Sequence, residues 1–216
     1  GLAAIGCACF LKPIPIRRES FQLNHVAAVF FSPAVLCASF FAVIMQIYLQ
    51  GTVFSFTSAV ARDLGASPFE IGLNTVLFTL VQIASAGFIG KKLLKRLSTC
   101  QAVTLGCALM ALCCVMVAFA PSMPFLYAAQ AIGGVSNLAL SAVLTALIIR
   151  FIPQENQSTA MGLYQALYGI GMTLGPVLTG GIAGRYSYCA AYLAIAGLCL
   201  GAALLAPWLV GKVEKN

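Results

Sequence analysis

The side chains in this sequence that could do chemistry are uncharged. Charged residues make up only 8% of its 216 positions, against 61% hydrophobic. All five carboxylates, Glu19, Asp63, Glu70, Glu155 and Glu214, fall between the long apolar runs or at their ends, and so does the single histidine, His25. Proton relays and ion sites in membranes are built from such groups, so no proton-coupling residue is expected inside the runs. The sequence also lacks the paired aspartates, HExxH motif or Ser/His arrangement of an intramembrane enzyme. No enzyme, cofactor or metal site is therefore expected.

What the runs do hold is amides, hydroxyls and phenols, unevenly shared. Gln46, Gln50 and Thr57 lie in the first run, Asn74, Gln82 and Ser85 in the second. Gln130, Asn137, Ser141 and Thr145 lie in the fourth, and Tyr164, Gln165 and Tyr168 in the fifth. The third is polar mainly at Gln101 and Thr104, and the sixth has little beyond Tyr192. Gly133, Asn137, Ser141 and Thr145 recur every four residues and share one helix face, as do Gln46 and Gln50. Gln46, Gln50, Asn74, Gln82, Asn137, Tyr164, Gln165 and Tyr168 are thus candidates to line a substrate cavity, offering hydrogen bonds and aromatic faces without charge. The alternative is that each bonds a neighbouring helix, a common use of polar side chains in membranes.

The elements that position these residues must be membrane helices, since about 20 apolar residues span the hydrocarbon and only helices or closed barrels satisfy the backbone there. Six spans are expected: 33–61, 68–90, 99–120, 124–150, 158–184 and 189–210. The first, second, fourth and fifth would line a path, with the third and sixth as lipid-facing supports (Ala196 among their lipid-facing positions). Ser67-Pro68-Phe69-Glu70 reads as a capping box that starts the second span. Residues 1–11 read as the tail of a preceding transmembrane helix in a longer chain. Residues 12–32 read as a cytoplasmic linker whose later half could lie in the interface, residues 33–210 as the bundle, and residues 211–216 as a cytoplasmic tail.

The net charge of +7 follows membrane topology, not a nucleic-acid face. With the linker cytoplasmic, ten of the twelve basic residues share its side, and only Arg62 and Arg185 oppose them. That asymmetry places both ends in the cytoplasm. The nine cysteines show no C-x-x-C pair and read as small core hydrophobes.

A weak internal repeat appears at an offset of about ninety residues, or three spans: Ile71-Gly72-Leu73 matches Met161-Gly162-Leu163, and Leu77-Phe78 matches Leu167-Tyr168. Inverted three-plus-three repeats are a transporter signature. Gly171-x-x-x-Gly175-Pro176 with Gly180-Gly181 permits close helix approach and a bend, so it is a candidate packing site or hinge.

These features resemble the C-terminal half of a major facilitator superfamily transporter of the bacterial efflux type, over nearly the whole chain. Tyr48-Leu49-Gln50-Gly51 through Phe56 is similar to the opening helix of that half. Gly90-Lys91-Lys92-Leu93-Leu94-Lys95-Arg96 resembles the degenerate second copy of the family's cytoplasmic loop motif, here built on Gly90, Lys91, Lys92, Lys95 and Arg96. Ala160 through Gly175-Pro176 is similar to the penultimate helix. Gln130 stands where the first half's fourth helix carries arginine, which favours the second half. The resemblance implies a secondary active permease in the cell membrane, bacterial inner or plasma membrane, moving a small molecule by alternating access, with efflux preferred over uptake. It also implies an N-terminal six-helix half as partner, besides the lipid bilayer. The rival reading is a non-transporting six-helix module acting as a dimer, receptor or assembly subunit.

Overall fold

A peptide crossing a bilayer finds no water there and must close its own hydrogen bonds. The computed structural model, which describes residues 23–88 and 97–215, obeys this with six helices long and apolar enough to cross a membrane: Pro33–Asp63, Pro68–Gly87, Thr99–Ala118, Met123–Phe151, Gln154–Arg185 and Tyr188–Lys215. No strand occurs among the described residues. A short helix, Leu23–Phe30, lies within the stretch expected as linker. Residues 1–22 and the basic motif Gly90, Lys91, Lys92, Lys95 and Arg96 lie outside the described residues.

Local chemistry sets several span ends. The first span closes with Gly65 at φ +80°, where the Gly65 N–H donates to Arg62 O at 2.8 Å and the Ala66 N–H to Ala61 O at 3.0 Å. This is a Schellman motif, and its left-handed residue favours glycine. Two residues later, Ser67 and Glu70 cap each other's backbone at 3.3 and 2.8 Å to start the second span. A second capping box, not foreseen from sequence, starts the third span at Ser98 and Gln101. The sixth helix runs unbroken through Lys215, taking in most of the stretch expected as a tail. Lys212 and Lys215 sit in its last turn, where cations favour the helix dipole.

The first and fourth spans occupy the centre. The first packs on the fourth, fifth and sixth, the fourth packs on the second and third, and the third and sixth pack on each other. Exchanging spans one, two and three for four, five and six reproduces nearly all these contacts, as an inverted three-plus-three repeat requires. One departure is that the fifth span packs on the sixth, with no comparable contact between second and third among the described residues. The second and fifth spans are the least buried. Exposed Val76, Leu80 and Ile83 mark the second, and exposed Ile170, Leu174 and Val177 the fifth.

Ala196 departs from expectation. It is buried in the core, because the sixth span turns an alanine-rich stripe (Ala191, Ala202, Ala203, Ala206) inward. Hydropathy separates apolar from polar residues. It does not separate a lipid-facing methyl from a packed one.

Candidate functional site

The first span is not a continuous α-helix. Its α-helix Pro33–Tyr48 passes into a π-helical turn at Leu49–Val53, then a bend, and resumes at Thr57–Asp63. π-turns are rare and recur at functional sites. Here the local hydroxyls make the break tolerable. The Thr52 hydroxyl donates to Tyr48 O at 2.5 Å, Ser55 to Gln50 O at 2.5 Å, and Thr57 to Thr52 O at 3.0 Å. These hydroxyls bond back onto carbonyls within the break, and Thr52 O also accepts from the Phe56 N–H at 3.1 Å.

Around this break lies a fully buried polar knot joining three spans. Thr57 Oγ1 is 2.9 Å from Tyr192 Oη of the sixth span and accepts from Gln130 Nε2 of the fourth at 3.4 Å. Tyr192 Oη also reaches Thr52 O at 3.3 Å. One turn earlier, Tyr48 donates to Cys113 Sγ of the third span at 3.3 Å. A methyl added at Gly133 would stand 2.5 Å from Tyr48 Oη, so the start of the Gly133–Thr145 stripe packs into this core. The knot fixes the relative positions of the central helices and supports whatever surrounds the π-turn.

The eight cavity candidates divide by environment. Gln46, Asn74 and Asn137 are 8%, 3% and 6% exposed, yet the side-chain oxygen of each has no hydrogen-bond partner among the described residues. A buried acceptor left unpaired costs about 1–3 kcal/mol, so these three, like Gln130 Oε1 in the knot, call for compensation by water or a ligand. Tyr164 is 4% exposed and meets the half-buried Tyr168 edge to face, centroids 5.7 Å apart. Gln50 sits half-buried in the π-turn, Gln82 is half-buried beside Gly134, and Gln165 is exposed. The structure thus brings Tyr164 to Tyr168. It places Gln46 against the fifth span, where its Cβ would meet a methyl added at Gly171 at 2.9 Å.

The glycine motif has a definite place. A Cβ on Gly175 would stand 2.8 Å from both Gly51 N and Ile47 O, and one on Gly51 2.5 Å from Thr179 Oγ1. Gly171, Gly175 and Thr179, four residues apart, thus form the strip on which the first span rests. Pro176 lies within the unbroken helix Gln157–Arg185. A Cβ on Gly180 would stand 3.1 Å from the Phe56 ring, and one on Gly181 would meet nothing within 4 Å.

A family model described as the Major Facilitator Superfamily matches residues 28–216. The chain belongs to the major facilitator superfamily. It is accordingly a multi-pass membrane protein of a transporter family, not an enzyme. Within this major facilitator unit, the π-turn and the knot of Tyr48, Thr57, Gln130 and Tyr192 are what residue-by-residue reading missed. Thr57, Gln130 and Tyr192 come from three separate spans, so no local spacing joins them. The one available signal was Tyr192, a lone polar group in an otherwise apolar span.

Proposed function

We propose that this chain is the second six-helix half of a secondary active transporter that moves a small, uncharged or weakly polar solute by alternating access, in the direction of efflux. The observation that carries the reading is the set of buried, unpartnered amide oxygens on Gln46, Asn74 and Asn137. All three lie on spans one, two and four, and the Tyr164–Tyr168 pair on span five supplies an aromatic face. Such a lining binds through hydrogen bonds and ring contacts, with a few polar groups fixing orientation on an apolar wall. The first half would cover the bare faces of the second and fifth spans, which carry exposed leucine, isoleucine and valine.

The positive-inside count supports both ends lying in the cytoplasm of a bacterial cell membrane, with residues 12–32 linking the halves and the Gly90–Arg96 loop on the same side. The likeness of Ala160 through Gly175-Pro176 and Gly180-Gly181 to the penultimate helix of efflux-type members supports the direction. In this scheme the strip of Gly171 and Gly175 is the seat on which span five shifts against span one, with Pro176 as its compliant point.

The test is transport by the full-length protein in inside-out and right-side-out vesicles across a panel of uncharged and cationic solutes. Asn137→Ala and Gln46→Ala should raise KM about tenfold, while Leu204→Ala on the exposed outer face leaves it unchanged. Equal effects at all three positions would remove the cavity assignment, and accumulation only in right-side-out vesicles would reverse the direction.

A further inference from the structure

Where the start of the first span meets the end of the sixth, an open groove of about 480 Å³ is walled by Leu36, Phe40 and Leu205 and lined toward the end of the sixth span by Trp208 and Lys212. None of its lining comes from the second or fifth spans, so it is separate from the faces assigned to the other half. The wall is almost wholly apolar, and the basic end is not. Trp208, the only tryptophan of the chain, is 66% exposed, and Lys212 Nζ stands 5.9 Å from its ring centroid.

The order of these residues along the helix is an order of depth. At about 1.5 Å per residue, Lys212 lies ~6 Å beyond Trp208 and Lys215 ~10 Å beyond it. At about 100° per residue, Leu205, Trp208, Lys212 and Lys215 share one face, and Glu214 falls on the opposite side. Read outward, the face runs from leucine through an interfacial tryptophan to two ammonium groups. That sequence matches acyl chain, glycerol region and phosphate of one lipid.

We propose that this groove holds an anionic phospholipid of the leaflet that meets the carboxyl end of the sixth span, its acyl chain against Leu36, Phe40 and Leu205 and its phosphate on Lys212 and Lys215. Charge complementarity selects the anionic class: a zwitterionic headgroup brings its own cation toward the two lysines. The groove selects a lipid over free phosphate, because most of the contact area is apolar.

The test is lipid retention by the full-length protein, delipidated from nanodiscs containing equal phosphatidylglycerol and phosphatidylcholine and read by native mass spectrometry. Wild type should keep phosphatidylglycerol in preference, by up to about fivefold per lysine. Lys212→Gln with Lys215→Gln should bring the two lipids to parity; both side chains are exposed, so folding is not at risk. Leu205→Trp, which fills the groove and keeps both lysines, should lower retention of either lipid. An unchanged preference in the double lysine variant overturns the proposal. So does displacement of phosphatidylglycerol by inorganic phosphate alone, which would make this a phosphate site. Neither result bears on the transport measurements above.

Discussion

Gly51 and Gly175 meet backbone to backbone, with so little room that a Cβ on Gly175 would stand 2.8 Å from Gly51 N. The contact joins the π-turn of the first span to the proline-bearing fifth span, so the most irregular backbone in the bundle rests on the strip that most needs small residues. Without a hydrophobic drive between membrane helices, close approach of this kind supplies much of the association energy.

Gly175→Val should therefore destabilise the bundle by about 1–3 kcal/mol, the range for overpacking a filled site. Thermal unfolding in detergent, followed by size-exclusion fluorescence, reads the loss. Gly181→Ala belongs to the same motif but meets nothing within 4 Å. It should be neutral or stabilising by up to about 1 kcal/mol, since glycine is a poor helix former. Matching losses from the two variants would contradict the strip.

The buried knot makes a second prediction. Thr57→Val removes the hydroxyl that Tyr192 and Gln130 both reach and should cost about 1 kcal/mol or more. Tyr192→Phe should cost less in the Thr57→Val background than in wild type. A double-mutant cycle should return a coupling near 0.5–1 kcal/mol, the scale of hydrogen bonds between membrane helices. Strict additivity would mean the two hydroxyls do not depend on each other.

These two regions show what was legible beforehand. Helix count and class follow from run length and from the demand that backbone groups pair within the bilayer, so all six spans could be placed from composition alone. The Ser67–Glu70 cap is equally local, and the structure has it. The π-turn was not legible, because Tyr48-Leu49-Gln50-Gly51 reads as ordinary helix. The residues packed around it are Gly175 and Thr179 on one side and Gln130 and Tyr192 on the other, none of them near it in sequence. Ala196 was misplaced for the same reason: whether a methyl faces lipid or a neighbour depends on rotation about a helix axis, and an almost wholly apolar span contains little to set that phase.

The ends of the spans are a third place to look. Gly65→Ala forces a side chain into left-handed backbone and should cost about 1 kcal/mol or slightly more. Ser98→Ala should cost about 1 kcal/mol by unpairing the Gln101 amide. Ser98→Asp, which can cap as well, should recover most of that. Denaturation midpoints of the three variants check this, and a Ser98→Asp as unstable as Ser98→Ala would argue against capping.

The last prediction separates a binding role from a packing role at Asn137. Its Oδ1 is buried without a partner among the described residues, so the folded state carries a penalty that ligand or water must offset. Asn137→Leu removes that penalty while keeping the branch at Cγ, at the cost of a larger side chain. The variant should hold or gain about 1 kcal/mol of thermal stability in the absence of solute, yet lose transport. Gln130→Leu serves as the contrast: its Oε1 is unpartnered among the described residues as well, but its amide nitrogen bonds Thr57, and losing that bond should lower stability. The test pairs unfolding midpoints with uptake into proteoliposomes for both variants. A stability loss at Asn137 as large as at Gln130 would place it in the packing of the bundle and take it off the path. Stability kept with transport lost is the trade-off expected where a site holds an unsatisfied group for its ligand.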